Sequence, residues 1–465
     1  MKKFLALCLS VTCAVTMLTG CGMGGSGKPT SSSDDGKTEI SVGNWPKEND
    51  QALRDVFEKR IEKLKELDPN INLVKDEWVY DLDSFLPKAA SGQLPTIYNT
   101  FFTEMTKIMD AGYAADVTEQ LKKNGYDGVV NEQIMNLVTR DGKQYGVPET
   151  AYMMGLACNV KMFEEAGLLD ENGVPKFPQT YQELAETAKI IHDKTGKAGF
   201  FMATKSNQGG WHFMNIAWSF GVEFMKKTDN KWNATFNTPE MVEAVQYVKD
   251  LKWKYNVLTE NALVDTNEFD KLFATDQVAM GITAPNNFKT PISTYGMKKD
   301  NIAVSILPAG PKQRASLMGG VFQVFAPNST KEQIDAGFKW FDISGISPKV
   351  TDEMKKEWAE AARTDNENGY VVGCPELPIW TNNERINAEK EATKQYENVN
   401  PKMFEAFDKA DKVVLKPEEP VCAQDLYKIL DSIIQEVLIN QNSDPKALVE
   451  KANNDFQVNF LDKVK

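Results

Sequence analysis

The sequence predicts an α/β protein built as two lobes, and three observations carry that expectation. At 465 residues and 52.1 kDa the chain exceeds what a single hydrophobic core usually supports. Its apolar segments alternate between short strand-like runs and amphipathic stretches of helix length, the pattern of a parallel or mixed sheet covered on both faces. Its composition, 42% hydrophobic and 26% charged, is that of an ordinary globular protein. Beyond the N-terminus no apolar run reaches the length needed to cross a bilayer.

Lys2 and Lys3 precede an apolar stretch from Phe4 to Leu18, the charged and hydrophobic regions of a secretory signal, too short and too polar to span. The following Leu18-Thr19-Gly20-Cys21 resembles the lipobox of bacterial lipoproteins. That resemblance implies removal of residues 1–20 as a signal peptide and acylation of Cys21, which would hold the protein at the outer, extracytoplasmic face of the cell membrane. Residues 21–37, rich in Gly and Ser, read as a flexible tether with a reach of roughly 20 Å. Gly22, Gly27 and Lys28 have the spacing of a phosphate-binding loop, but Pro29 stands where Ser or Thr is needed and no strand precedes them.

The body begins with a strand from Glu39 to Val42, followed by a helix from Asn49 to Leu67 with Leu53, Phe57, Ile61 and Leu64 on one face. Strands follow at Ile71 to Val74 and Thr96 to Asn99. Thr180 with Glu183 makes a capping box for a helix to Asp193, Thr238 with Pro239 opens one to Tyr255, and Ser329 with Glu332 opens another. Met241, Val245, Val248 and Tyr255 recur at helical spacing and read as a core stripe. The charged segments from Lys349 to Asn368 and from Glu384 to Asp411 read as solvated helices and loops.

Charge and composition exclude several functions. The formal net charge is -13, and more negative still without Lys2 and Lys3, so the surface repels nucleic acid. Arginine occurs at only six dispersed positions, which disfavours a strongly anionic ligand. Cys8 and Cys13 lie in the leader, leaving Cys158, Cys374 and Cys422, too far apart for a redox or zinc motif and read as buried thiols or one bridge. His192 and His212 are the two histidines, and no H-E-x-x-H or G-x-S-x-G occurs, so a His-based triad or zinc site is not expected. With 66 acidic residues, carboxylate-pair chemistry of the glycosidase kind stays open.

From Lys37 onward the chain resembles the family 1 extracellular solute-binding proteins, receptor subunits of carbohydrate ABC importers. The resemblance is carried by Tyr145-Gly146-Val147-Pro148, by the run from Asn159 to Leu168, by Pro178 to Leu184, Phe273 to Met280, Leu307 to Pro311, Gly319-Gly320, and Ala326 to Glu332. It implies a two-lobed periplasmic-binding-protein-like fold whose discontinuous lobes are joined by a multi-strand hinge. Lobe one would take residues 38–148 and the return segment 322–345, and lobe two 149–318 and the C-terminal segment 346–465, with extra length between Ser347 and Pro420. It also implies a monomeric receptor without catalytic residues, metal or cofactor. Such a receptor captures a sugar, expected to be an oligosaccharide, by hinge closure and delivers it to the transmembrane subunits of a permease driven by a cytoplasmic ATPase.

A cleft for sugar needs aromatic faces for the C–H side of the pyranose ring and carboxylates or amides for its hydroxyls. Ligands of open α/β sheets sit at strand C-termini. Trp45 after the first strand, Trp78 after the second, and Phe101 with Phe102 after the third meet both conditions. Family position adds Glu149 and Tyr152 at the first crossing, Trp211, Asn286 and Asn287, and Gly320 at the return crossing, with Trp380 a further candidate and His212 a neighbour of Trp211. Trp218, Trp253 and Trp340 are assigned to packing. The competing readings are a surface glycosidase or lyase, a receptor of the same fold for a non-sugar solute, and a polysaccharide-docking lipoprotein without a transporter.

Overall fold

The computed structural model describes residues 36–285 and 287–464. The signal peptide, Cys21, nearly all of the tether and Asn286 lie outside the described residues. No helix among the described residues is long and apolar enough to cross a membrane.

β1 (Thr38–Val42), α1 (Gln51–Leu67), β2 (Ile71–Lys75) and β3 (Ile97–Phe101) open the first sheet, with β1 between β2 and β3 and parallel to both. Each starts within two residues of its expected position. Ile61 and Leu64 of α1 are buried, while Leu53 at the other end of the same stripe is 43% exposed, so the helix beds on the sheet through its C-terminal half. β4 (Val147–Met153) passes through the single residue Met154 into β5 (Gly155–Asn159), and β5 is the central strand of a different sheet. Met154 therefore marks the first crossing between lobes.

In the second lobe come α2 (Tyr181–Thr195), α3 (Gln208–Phe220), α4 (Pro239–Trp253), β6 (Met280–Thr283) and β7 (Ile302–Ile306). The three-stranded antiparallel sheet runs β6–β5–β7. The Thr180 hydroxyl accepts from Glu183 N at 3.1 Å, but the Glu183 carboxylate turns to Gln179 N, so the expected capping box is half formed. Thr238 caps α4 through Met241 N, and Met241, Val245 and Val248 are buried as their spacing predicts.

β8 (Ala315–Phe325) makes the return crossing: Met318 to Gln323 pair antiparallel with β4, and Val321 to Phe325 with β3. One strand thus belongs to the hinge at its start and to the first sheet at its end. α5 (Lys331–Ser344) follows, one residue later than expected. Its capping box is Thr330 with Gln333, because Thr330 has the extended backbone and the reciprocal Gln three positions on.

The remaining chain forms α6 (Asp352–Glu367), α7 (Asn383–Thr393), β9 (Val414–Lys416), α8 (Ala423–Ile439) and α9 (Pro445–Asn459). α8 and α9 pack on α3 and α4, in the second lobe. The expectation that all of 346–465 joins that lobe is corrected by the part before α8. Glu353 and Glu357 of α6 pair with Lys63 of α1 at 3.4 and 3.5 Å, and Trp380 bridges to Val130, so α6, α7 and their connection dock on the first lobe. Phe407 then sits against Gly155, and Lys402 bonds Asn172 at 2.8 Å, which carries the segment back to the second lobe. Three apolar clusters result: one inside each lobe, and one where the two sheets meet around Met153, Phe322, Val304 and Phe407.

Candidate ligand-binding cleft

The first-lobe wall is built after the C-termini of β2 and β3. Asp76 Oδ1 accepts from Trp78 N and turns the chain, leaving the Trp78 indole half-buried with its Nε1 on Ser84 Oγ at 3.2 Å. Tyr80, two residues on, donates to Glu104 Oε2 at 2.9 Å. Glu104 follows β3 in a single 3-10 turn, is buried, and also pairs with Lys107 at 3.3 Å. Burial and the adjacent Glu104 charge both raise the Tyr80 phenol, so it remains a donor. Phe101 is 52% exposed with its ring edge-on to Tyr80 at 6.0 Å, whereas Phe102 is buried and stacks on Phe322 at 4.3 Å.

The other wall comes from three separate pieces of chain, two in the second lobe and one on the crossing strand β4. Trp211, in the first turn of α3, donates from its indole Nε1 to Glu418 Oε1 at 3.0 Å. Tyr152, on β4, is half-buried, with burial and the nearby Glu418 pushing its phenol up to about 12. Glu418 lies in the Pro417-Glu418-Glu419-Pro420 turn between β9 and α8. Burial raises the Glu418 carboxyl, Trp211 partly offsets this, and the charge of Glu104 raises it further.

Trp78, Phe101, Tyr152 and Trp211 are therefore the sequence-predicted residues that stand with these carboxylates. Trp45 is corrected: it is 1% exposed, edge-on to Phe57 at 4.9 Å and 6.2 Å from Trp340. The left-handed Asn44 (φ 56) turns the chain after β1, and Trp45 N bonds Asp76 O, which sends the indole under α1 instead of out past the strand end. Trp380 is corrected likewise, being 8% exposed between Tyr126 and the Arg385 guanidinium on the flank of the first lobe. Trp218 and Trp340 are buried as assigned, while Trp253 is partly exposed with its indole N–H on Val437 O.

Glu149 and Gly320 belong to the hinge. Glu149 accepts from Gln323 Nε2 at 2.8 Å across the two crossing strands, and burial raises its carboxyl. A Cβ on Gly320 would lie 2.1 Å from Thr150 O and 2.6 Å from the Phe102 ring, so only glycine lets the strands approach. Asn287 is exposed in the loop after β6, with its amide 3.5 Å from Thr283 Oγ1. His212 is 4% exposed, and burial pushes its imidazole down to about 4, so it is a neutral packing residue behind Trp211.

Tyr80, Glu104 and Glu418 were not anticipated. Tyr80 was within reach, two residues beyond Trp78 at a strand end, but Glu418 fell in the segment longer than the family pattern. Cys158, Cys374 and Cys422 are all free thiols. Among the described residues no group of three or more His, Cys, Asp or Glu could hold a metal ion. A separate groove of about 670 Å³, lined by Tyr181, Phe220, Tyr247 and Glu243 among others, lies wholly within the second lobe.

The chain is 26% identical over 300 residues to a candidate binding protein of Brucella abortus (strain 2308), a match covering 60% of this chain and 66%, just under two thirds, of that relative. It is 22% identical over 344 residues to the arabinooligosaccharide-binding protein of Halalkalibacterium halodurans, covering 71% of this chain and 68% of that one. Among solved structures, the cyclic alpha-maltosyl-1,6-maltose binding protein of Arthrobacter globiformis superimposes with a TM-score of 0.64 at 22% identity, over 91% of this chain and 100% of that chain. At such identity the likeness establishes the fold, the two-lobed periplasmic-binding-protein-like α/β architecture. The family model for bacterial extracellular solute-binding proteins matches residues 44–343, well over half the sequence, and the chain belongs to that family.

Proposed function

We propose that the cleft between the lobes captures a carbohydrate, an oligosaccharide, and that the loaded protein delivers it to an ABC permease. The observation that carries the reading is that each lobe sets aromatic rings beside a carboxylate: Trp78, Tyr80 and Phe101 with Glu104 in one, and Trp211 with Glu418 in the other, near Tyr152 on the crossing strand β4. Rings accept the C–H face of a pyranose, and carboxylates accept its hydroxyls. A ligand touching both walls binds the closed arrangement more tightly than the open one and so shifts the protein toward closure.

A thermal-shift and calorimetric screen over mono- and oligosaccharides tests this, since a ligand selective for the native state raises the melting temperature by mass action. A protein stabilised by no sugar would sink the proposal. The cleft is a binding site without turnover, so bound oligosaccharides should be recovered intact. New reducing ends after incubation with purified protein would instead support a glycosidase.

Lobe one, in this reading, comprises 38–148 with 322–345, α6 and α7, and lobe two 155–317 with α8 and α9, the crossing strands at 149–154 and 318–321 forming the hinge. Acylation of Cys21 would hold the monomeric receptor near the permease at the outer face of the membrane. Cys21→Ala, expressed in a bacterial host and followed by fractionation, is expected to appear in the soluble fraction. A membrane-bound Cys21→Ala protein would contradict the anchor.

A further inference from the structure

We infer that Asp431 is the positioning residue for Trp211, holding that side of the cleft in register without touching ligand. This rests on the sugar-cleft reading. α3 starts from two consecutive left-handed residues, Ser206 (φ 61) and Asn207 (φ 66), and the Asn207 side chain does not cap the helix. The first N–H groups of a helix need acceptors; Gln208 N finds Lys205 O at 3.1 Å, and those of Asn207 and Gly210 turn to another part of the chain. Asp431, on α8, supplies them: Oδ2 accepts from Asn207 N at 2.8 Å and Oδ1 from Gly210 N at 2.6 Å.

Asp431 is 5% exposed. The groups that offset burial of its charge are backbone N–H groups of Gly210, Asn207 and Gly209. A buried carboxylate without a cation is costly unless such dipoles are aimed at it, and the N-terminus of α3 provides that aim. The packing is equally restrictive. A Cβ on Gly209 would meet Asp431 Oδ1 at 2.7 Å, and one on Gly210 would meet Tyr427 O at 2.3 Å, so two glycines in succession admit the α8 backbone and its carboxylate.

Trp211 is the next residue. Its backbone is fixed to α8 through the Gly210 bond to Asp431, and its indole is fixed to Glu418 in the turn that leads into α8. Both references belong to one continuous stretch, from Glu418 to Asp431, that the α3 sequence does not contain. Loss of the Asp431 acceptor frees the Ser206–Asn207 turn to relax and lets the indole swing away from Glu418.

Asp431→Asn keeps the size of the side chain but presents an N–H where an acceptor is required, and Asp431→Ser is a smaller second variant. Both are titrated calorimetrically with maltotetraose, arabinotriose and diacetylchitobiose, beside wild type, Trp211→Ala and the Asp431→Asn/Trp211→Ala double variant. The expected result is a cooperatively folding Asp431 variant that binds the best wild-type probe about tenfold more weakly or worse, while the double variant binds no more weakly than Trp211→Ala alone. The Trp211 indole N–H resonance, identified by its absence in Trp211→Ala, should also shift in Asp431→Asn. Unchanged affinity, an additive loss in the double variant, or failure of both Asp431 variants to fold would each overturn the positioning role. If Trp211→Ala binds as wild type does, or wild type binds no probe, the sugar-cleft reading itself fails.

Discussion

Trp211 and Glu418 stand 207 residues apart in the chain, yet the indole Nε1 of one donates to the carboxylate of the other at 3.0 Å. The bond fixes a flat apolar face and an anionic acceptor side by side, the pair of features a sugar ring requires. Trp211→Ala should weaken sugar binding about 100-fold, and Glu418→Gln, which keeps an acceptor but loses its charge, about tenfold. Isothermal calorimetry on folded variants measures both. Wild-type affinity in both would remove this pair from the site.

Glu419, beside it, gives a pH signature. Burial raises its carboxyl from 4.5 to about 7. Between those values the folded protein keeps a proton that the unfolded chain has released, so stability falls as pH rises through the window, by roughly 1–3 kcal/mol in all. Glu419→Gln should therefore melt higher than wild type at pH 8 and equally at pH 4. Parallel melting curves across that range would contradict the assignment.

His212 acts in the opposite direction. Its imidazole is lowered from 6.5 to about 4 by burial, so on acidification the unfolded chain takes up a proton before the folded one does. Stability is lost as pH falls from about 6.5 toward 4. His212→Gln should flatten that acid limb in calorimetric melts, and an unchanged limb would mean that another group causes it.

At the hinge, Gly320→Ala forces a Cβ to within 2.1 Å of the Thr150 carbonyl oxygen, a backbone atom that cannot rotate away. The strands β4 and β8 must separate, at a cost of about 3 kcal/mol or more. Denaturant unfolding measures this, and a near-neutral variant would show that the crossing strands adjust easily.

Trp45 and Trp380 are structural residues. Alanine at either should destabilise the protein by about 3–5 kcal/mol while leaving the affinity of the folded fraction unchanged. A variant with wild-type stability and weakened sugar binding would return that tryptophan to the site.

Local signals in the sequence were read where local physics decides. The strand–helix alternation placed β1, α1, β2 and β3 to within two residues of their starts, and Thr180 and Thr238 cap the helices they were expected to cap. The Ser329 start moved to Thr330, since a capping box is chosen by backbone conformation as well as by residue type. Trp45 was misread because the rule that ligands gather at strand ends says nothing of a left-handed Asn44 that folds the next residue inward.

Periodicity, caps and ordered motifs run along the chain, so the two-lobed α/β class was legible there, and strand-end and family position pointed to Trp78, Phe101, Tyr152 and Trp211, the four carried into the proposed cleft. Long-range packing alone brings the Glu418 carboxylate to the Trp211 indole, docks α6 and α7 on the first lobe, and sets Asp431 at the start of α3. Those relations join segments hundreds of residues apart, through charges and close contacts that exist only once two surfaces have packed. No spacing in a linear pattern encodes a distance across a cleft.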